Sequence, residues 1–135
     1  LWSLDHEGGI EKAFCCINAT ARDFARIGKL VLNDGIWNNE SIVNKSFVRE
    51  AVRPNGLNNK DGTPCITYGL SWWLGEYEGK SFYFMRGIKG QYVIVLPELD
   101  LILVRMGKKR DVGSGNPHPD DVYRYIEMAL RISEQ

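Results

Sequence analysis

An arginine set between an apolar, strand-like run and a glycine-rich bend is the clearest chemical feature of this chain: Phe84-Met85-Arg86-Gly87-Ile88-Lys89-Gly90-Gln91. The planar fork of Arg86 suits a carboxylate or amide. Two uses of Arg86 compete: a substrate anchor where a strand meets a loop, or the partner of a nearby acidic side chain. Lys89 reads as exposed loop, because a reactive lysine needs burial or a close cation to lower its pKa. Gln91 reads as a brace for the bend. His118 precedes Asp120 and Asp121, which suggests a metal cluster, but acidic residues are expected where a helix begins. His6 lies in an irregular stretch and reads as solvent-exposed.

Three segments, in this order and spacing, resemble the C-terminal portion of the serine β-lactamase-related hydrolases. They are Asn18-Ala19-Thr20-Ala21-Arg22-Asp23-Phe24-Ala25-Arg26-Ile27-Gly28, Tyr68-Gly69-Leu70-Ser71-Trp72-Trp73, and the Arg86 to Gln91 loop followed by Val93-Ile94-Val95-Leu96-Pro97-Glu98-Leu99-Asp100-Leu101-Ile102-Leu103-Val104. That group holds class C β-lactamases, penicillin-binding carboxypeptidases, esterases and amide hydrolases such as 6-aminohexanoate-dimer hydrolase. The resemblance implies attack on an acyl carbon by the serine of a Ser-x-x-Lys motif, with the lysine one helical turn on to accept the proton.

The nucleophile motif is missing from this chain. Ser3, Ser41, Ser46, Ser71, Ser81 and Ser114 are followed at the third place by His6, Asn44, Arg49, Leu74, Phe84 and Pro117. The auxiliary Tyr-x-Asn or Tyr-x-Ser fails at all 6 tyrosines, and Gly113-Ser114-Gly115 lacks the glycine spacing of a nucleophile elbow. What remains is the family's third element, a strand with Lys-Thr-Gly or His-x-Gly beside the nucleophile. Aligned on Gly90, it falls on Met85, Arg86 and Gly87, where only the glycine is matched, although subfamilies with Ala-Arg-Gly-x-x-Gly-Gln are similar. The resemblance implies that the backbone N–H of Ile88 is one of two oxyanion donors, with Arg86 and Gly87 on the substrate side. Losing one such donor costs on the order of a hundredfold in rate.

The elements that must position these residues are legible from pattern. Thr20 with Asp23 three places later marks a helix start, and Phe24, Ile27 and Val31 recur on one face, opposite Arg22, Arg26 and Lys29. Gly28 offers room for another backbone to pass close by. Asn44 caps a short helix carrying Phe47, Val48, Ala51 and Val52, which Pro54 stops. Residues 55–64 read as loop. Strands follow at 68–76, 80–86, 91–96 and 101–106, with links too short for parallel crossovers, hence antiparallel. Within the first, Trp72 and Trp73 point to opposite faces. A last helix begins near Pro117 or Pro119, with Val122, Ile126 and Ala129 as its buried stripe. The fold expectation is α+β, an antiparallel sheet packed with helices: residues 1–66 as a helical segment with an irregular lead-in, residues 67–135 as strands plus the C-terminal helix.

Composition bounds the partners. The 135 residues carry 17 Lys+Arg against 17 Asp+Glu, which excludes a strong electrostatic grip on nucleic acid. A hydrophobic share of 44% excludes a disordered chain, and no apolar run reaches the roughly 20 residues of a membrane span. Cys15, Cys16 and Cys65 fit no zinc or redox spacing; buried free thiols are the simplest reading, with a Cys16–Cys65 bridge left open. No metal or organic cofactor is implied.

Taken with the resemblance, the chain reads as the C-terminal fragment of a serine hydrolase acting on a small amide, ester or β-lactam, its natural start lying upstream of Leu1. Its partner is then the missing N-terminal part of the same protein; in isolation, open edges and an apolar patch around Phe24, Ile27 and Val31 favour self-association. The resemblance suggests a periplasmic or extracellular setting. The alternative is a non-catalytic binding or structural module derived from the same fold.

Overall fold

Thr20 opens the first helix as its sequence requires. In the structure, a computed structural model describing residues 2–12 and 15–133, α1 (Ala21–Leu32) is closed by a reciprocal capping box. The Asp23 N–H donates to Thr20 Oγ1 at 3.3 Å, and the Thr20 N–H donates back to Asp23 Oδ2 at 3.1 Å. A two-strand hairpin, β1 (Ile36–Trp37) and β2 (Glu40–Ser41), then leads to α2 (Lys45–Ala51), capped by Asn44. The hairpin escapes the sequence pattern because its strands are so short. Asn38 and Asn39 both take positive φ, 49° and 66°, the backbone that a tight two-residue turn demands and asparagine tolerates.

Four antiparallel strands form the main sheet in the order β3 (Trp73–Tyr77), β4 (Lys80–Gly87), β5 (Gln91–Leu96), β6 (Leu101–Met106), followed by α3 (Asp120–Ser133). The α+β class and the antiparallel pairing agree with the sequence reading. The first strand is shorter than the expected 68–76, because Ser71 takes a left-handed φ of 65° and breaks the extended run. Tyr68 touches Trp73 through an isolated bridge instead.

Alternation along the strands divides the core into two layers. Phe82, Phe84, Tyr92, Ile94 and Leu96 face α3 and pack on Val122, Ile126 and Leu130. Tyr83 and Val95 face the other way, with Leu74, Val31, Leu32 and Ile102. Trp73 joins the first layer and Trp72 the second, as period two dictates.

The helix α1 lies directly on β5 and β6; Val31 packs on the sheet of its own chain, and Phe24 and Ile27 on the same helix face are half-buried rather than fully open. Gly28 is the buried residue of α1. What approaches it is not a backbone but the side chains of Ile102 and Val93, each 3.0 Å from where a Cβ would stand. The lead-in is irregular, crossed among the described residues by the isolated bridges Trp2–Ile17 and Leu4–Glu11; Leu1, Ala13 and Phe14 lie outside the described residues. None of the three cysteines is buried: Cys15 and Cys16 are joined to each other, and Cys65 is free and half-buried. Adjacency, not packing in a core, brings Cys15 and Cys16 together.

Candidate functional site

Residues two apart on a strand share a face, so Arg86 stands with Phe84 and Phe82 on the α3 side. The register places Arg86 opposite Tyr92, and Tyr92 opposite Arg105, giving a row of arginine, tyrosine, arginine across three strands. One buried carboxylate serves two members of that row, Tyr92 and Arg105. Asp121 of α3 accepts from the Tyr92 hydroxyl at 2.9 Å and lies 3.6 Å from Arg105 Nη1. Burial, with the hydrogen bond to Asp121, pushes the Tyr92 phenol well above its ordinary pKa and keeps it a neutral donor.

Arg86 is left without an acid. Its guanidinium lies 3.5 Å over the Trp73 ring, and no hydrogen-bond acceptor or carboxylate holds it among the described residues. The competing reading, pairing with an acid at the strand end, therefore does not describe this structure. Burial, and then the nearby charge of Arg110, lower its pKa, yet a guanidinium stays protonated at any working pH. A half-buried, permanently charged fork with spare donors is suited to an anionic or carbonyl-bearing ligand.

The backbone beside it is open too. Pairing of β3 with β4 ends at Trp73 opposite Phe84, so Met85, Arg86 and Gly87 have no strand on that side among the described residues. A bound extended chain would find free backbone groups there. Gly87 ends β4 and Ile88 begins a short turn, Ile88–Gly90, with Lys89 at φ 59° and Gly90 at φ 78°. Ile88 is 78% exposed, and the N–H that opens a helical turn has no partner within it. Arg86, Gly87 and Ile88 thus stand together at one strand end. Lys89 is exposed, and Gln91 braces the bend as expected, its Nε2 donating to Gly107 O at 2.6 Å.

His118 is placed elsewhere in role. It is 2% exposed, edge-on to Phe84 and Trp73, with Nε2 2.6 Å from Leu74 O. A carbonyl accepts, so Nε2 carries the proton; Nδ1 is buried with no partner. It does not join Asp120 and Asp121 in a cluster: Asp120 accepts from Asn116 Nδ2 at 2.9 Å at the helix start, whereas Asp121 turns into the core. Sequence reading missed the Arg105–Asp121 pair, because one arginine in a strand and one of two helix-start acids carry no local mark of meeting.

Two hollows, of about 460 Å³ beside Asp34 and Trp37 and about 670 Å³ along the outer edge of β3 near Tyr77 and His118, lie apart from this strand end.

No protein-family model matches the chain. A 6-aminohexanoate-dimer hydrolase of Paenarthrobacter ureafaciens is 26% identical over 110 residues, covering 76% of this chain and 27% of that protein. A solved Bacillus anthracis structure, provisionally named 6-aminohexanoate-dimer hydrolase, superposes with a TM-score of 0.69 at 28% identity, over 94% of this chain and 31% of the other. In sequence and fold the chain is thus similar to proteins named 6-aminohexanoate-dimer hydrolase, in line with the resemblance to the β-lactamase-related hydrolases. It spans between a quarter and a third of the length of these two relatives.

Proposed function

We propose that this chain forms one wall of the active site of a serine hydrolase that cleaves an amide, ester or β-lactam through an acyl-serine intermediate. The observation that carries the reading is the unpaired Arg86 beside the open edge of Met85–Gly87, at the strand end where the family resemblance expects substrate. In this reading the chain is the C-terminal part of the parent. Substrate lies along the free edge, Arg86 holds its carboxylate or amide, and the Ile88 N–H donates to the oxyanion as the carbonyl becomes tetrahedral. The nucleophilic serine, its lysine and the tyrosine come from outside residues 1–135. The Paenarthrobacter relative is named for a linear amide, which makes short linear amides the first substrates to try.

The test uses the natural protein containing this sequence, assayed on the 6-aminohexanoate dimer, a p-nitrophenyl ester and nitrocefin. Turnover of one of them, with a single serine outside this segment labelled by a fluorophosphonate, is the expected result. Absence of both turnover and labelling would favour the second reading, a binding module on the same fold, which the missing Ser-x-x-Lys supports.

A further inference from the structure

Arg105 does more than fill its place in β6. Its Nη1 donates to Gly90 O at 2.6 Å, Nη2 to Lys109 O at 2.9 Å, and Nε to the Tyr125 hydroxyl at 3.0 Å. The cation lies 5.5 Å from the Tyr92 ring centre and 5.2 Å from that of Tyr125. Asp121, 3.6 Å from Nη1, also accepts from the Asp111 N–H at 3.3 Å. One guanidinium thus ties β6, the Ile88–Gly90 turn, the segment 107–111 and α3 together.

The turn needs such a hold. Lys89 and Gly90 are consecutive left-handed residues, and a side chain such as lysine's disfavours that region because its Cβ crowds the following carbonyl. The space is shaped around the guanidinium: a Cβ on Gly90 or on Gly107 would overlap Arg105 Nη1. Local preference alone would not keep Ile88 and Lys89 where they are.

We propose that Arg105 is a positioning residue that fixes the Ile88–Gly90 turn and, through it, the direction of the Ile88 N–H at the open edge of β4. The catalytic half of this inference rests on the hydrolase reading above; the structural half does not. Charge by itself is not sufficient, because the hold depends on three donors in a fixed fork.

The experiment compares wild type, Arg105→Lys, Arg105→Gln and the milder Tyr125→Phe in the natural protein. Amide exchange by mass spectrometry should show faster exchange across residues 87–91 and 107–111 in both Arg105 variants, while 93–95 in the core stay protected. Tyr125→Phe removes one acceptor and should show the same pattern, weaker. On a p-nitrophenyl ester, kcat should fall about tenfold to a hundredfold in Arg105→Lys with KM changed by less than about threefold, the scale of a misplaced reacting group. Unchanged exchange in the turn, or rescue by lysine, would overturn the clamp. Loosened exchange with unchanged kcat, or a rise in KM alone, would overturn its link to the oxyanion donor. Should wild type have no activity, the hydrolase reading falls, and exchange of the hydrogen-bonded amides in 87–91, Gln91 among them, still decides whether Arg105 fixes the turn. Should the Arg105 variants fail to fold, Tyr125→Phe decides by the same pattern: loosened 87–91 over a protected core supports the clamp, and unchanged exchange there overturns it.

Discussion

The guanidinium of Arg86 lies 3.5 Å over the indole of Trp73, across the β3–β4 hairpin and on the face that α3 covers. Trp73 pairs with Phe84, and Arg86 is two residues further along the same face, so the two side chains are diagonal neighbours. A cation over an aromatic face is attracted by about 0.5–2 kcal/mol, more as water is excluded. The contact holds the guanidinium over the ring, while its donors have no acceptor among the described residues. Trp73 is itself packed edge-on by Tyr68 at 4.8 Å and by His118 at 5.9 Å. An arginine presented in this way is pre-organised for a planar acceptor, and little further ordering is needed when one binds.

Arg86→Ala in the natural protein should weaken the transition state for substrates carrying a carboxylate by about 1–3 kcal/mol, the scale of a lost charged hydrogen bond. Neutral esters should lose much less. The comparison of kcat/KM for an anionic and a neutral substrate of the same acyl group decides it. Equal losses, or none, would remove Arg86 from substrate binding.

Gly28 fixes how closely α1 approaches β5 and β6. Side chains from Val93 and Ile102 stand 3.0 Å from the place a Cβ would take, so Gly28→Val must push the helix off the sheet. Overpacking of this kind costs about 1–3 kcal/mol. Urea unfolding of the chain should show a lower midpoint with an unchanged slope. A variant as stable as wild type would mean that α1 is not seated on the sheet in solution.

Much of this architecture is legible in the sequence because it rests on local chemistry. The Thr20–Asp23 cap, the Asn44 cap and the period-two alternation of Phe82 to Leu96 each declare themselves within a few residues. The site is only half legible. Arg86, Gly87 and Ile88 stand out by composition, but the Trp73 stack joins residues 13 apart through a register that sequence does not print. Asp121 looks like one of two equivalent helix-start acids. Only the fold makes it the partner of Tyr92 and Arg105, 29 and 16 residues back along the chain.

The 135-residue chain by itself should not be acylated. None of the serines tested above has a lysine at the third place, so none has the base that would generate an alkoxide. A fluorophosphonate probe followed by intact mass should leave the chain at its own mass. Stoichiometric labelling of any serine would show that this segment carries a nucleophile, and the assignment of catalysis to an upstream segment would be wrong.

His118 should make stability fall in mild acid. It is buried among Trp73, Phe82, Phe84 and Tyr123, its Nε2 facing the Leu74 carbonyl and the Arg86 charge close by. Burial first, with the charge of Arg86 added, lowers its pKa below the ordinary 6.5, while the Leu74 contact opposes them. The unfolded chain therefore takes up a proton at a pH where the folded chain does not. Stability contributed by neutral His118 is complete above about pH 6.5 and is lost as pH falls from there toward the folded value, with a slope of at most about 1.4 kcal/mol per pH unit. Asp23, Asp34, Asp61 and Asp120, all with pKa values lowered from 3.8 mainly by side-chain hydrogen bonds, lose their contributions only in stronger acid, so the two windows are separate. Thermal midpoints between pH 7 and 5 should fall for wild type and stay level for His118→Gln, whose amide can still donate to Leu74 but does not titrate. Parallel curves for the two proteins would mean that His118 is solvated in solution and that its place in the core is wrong.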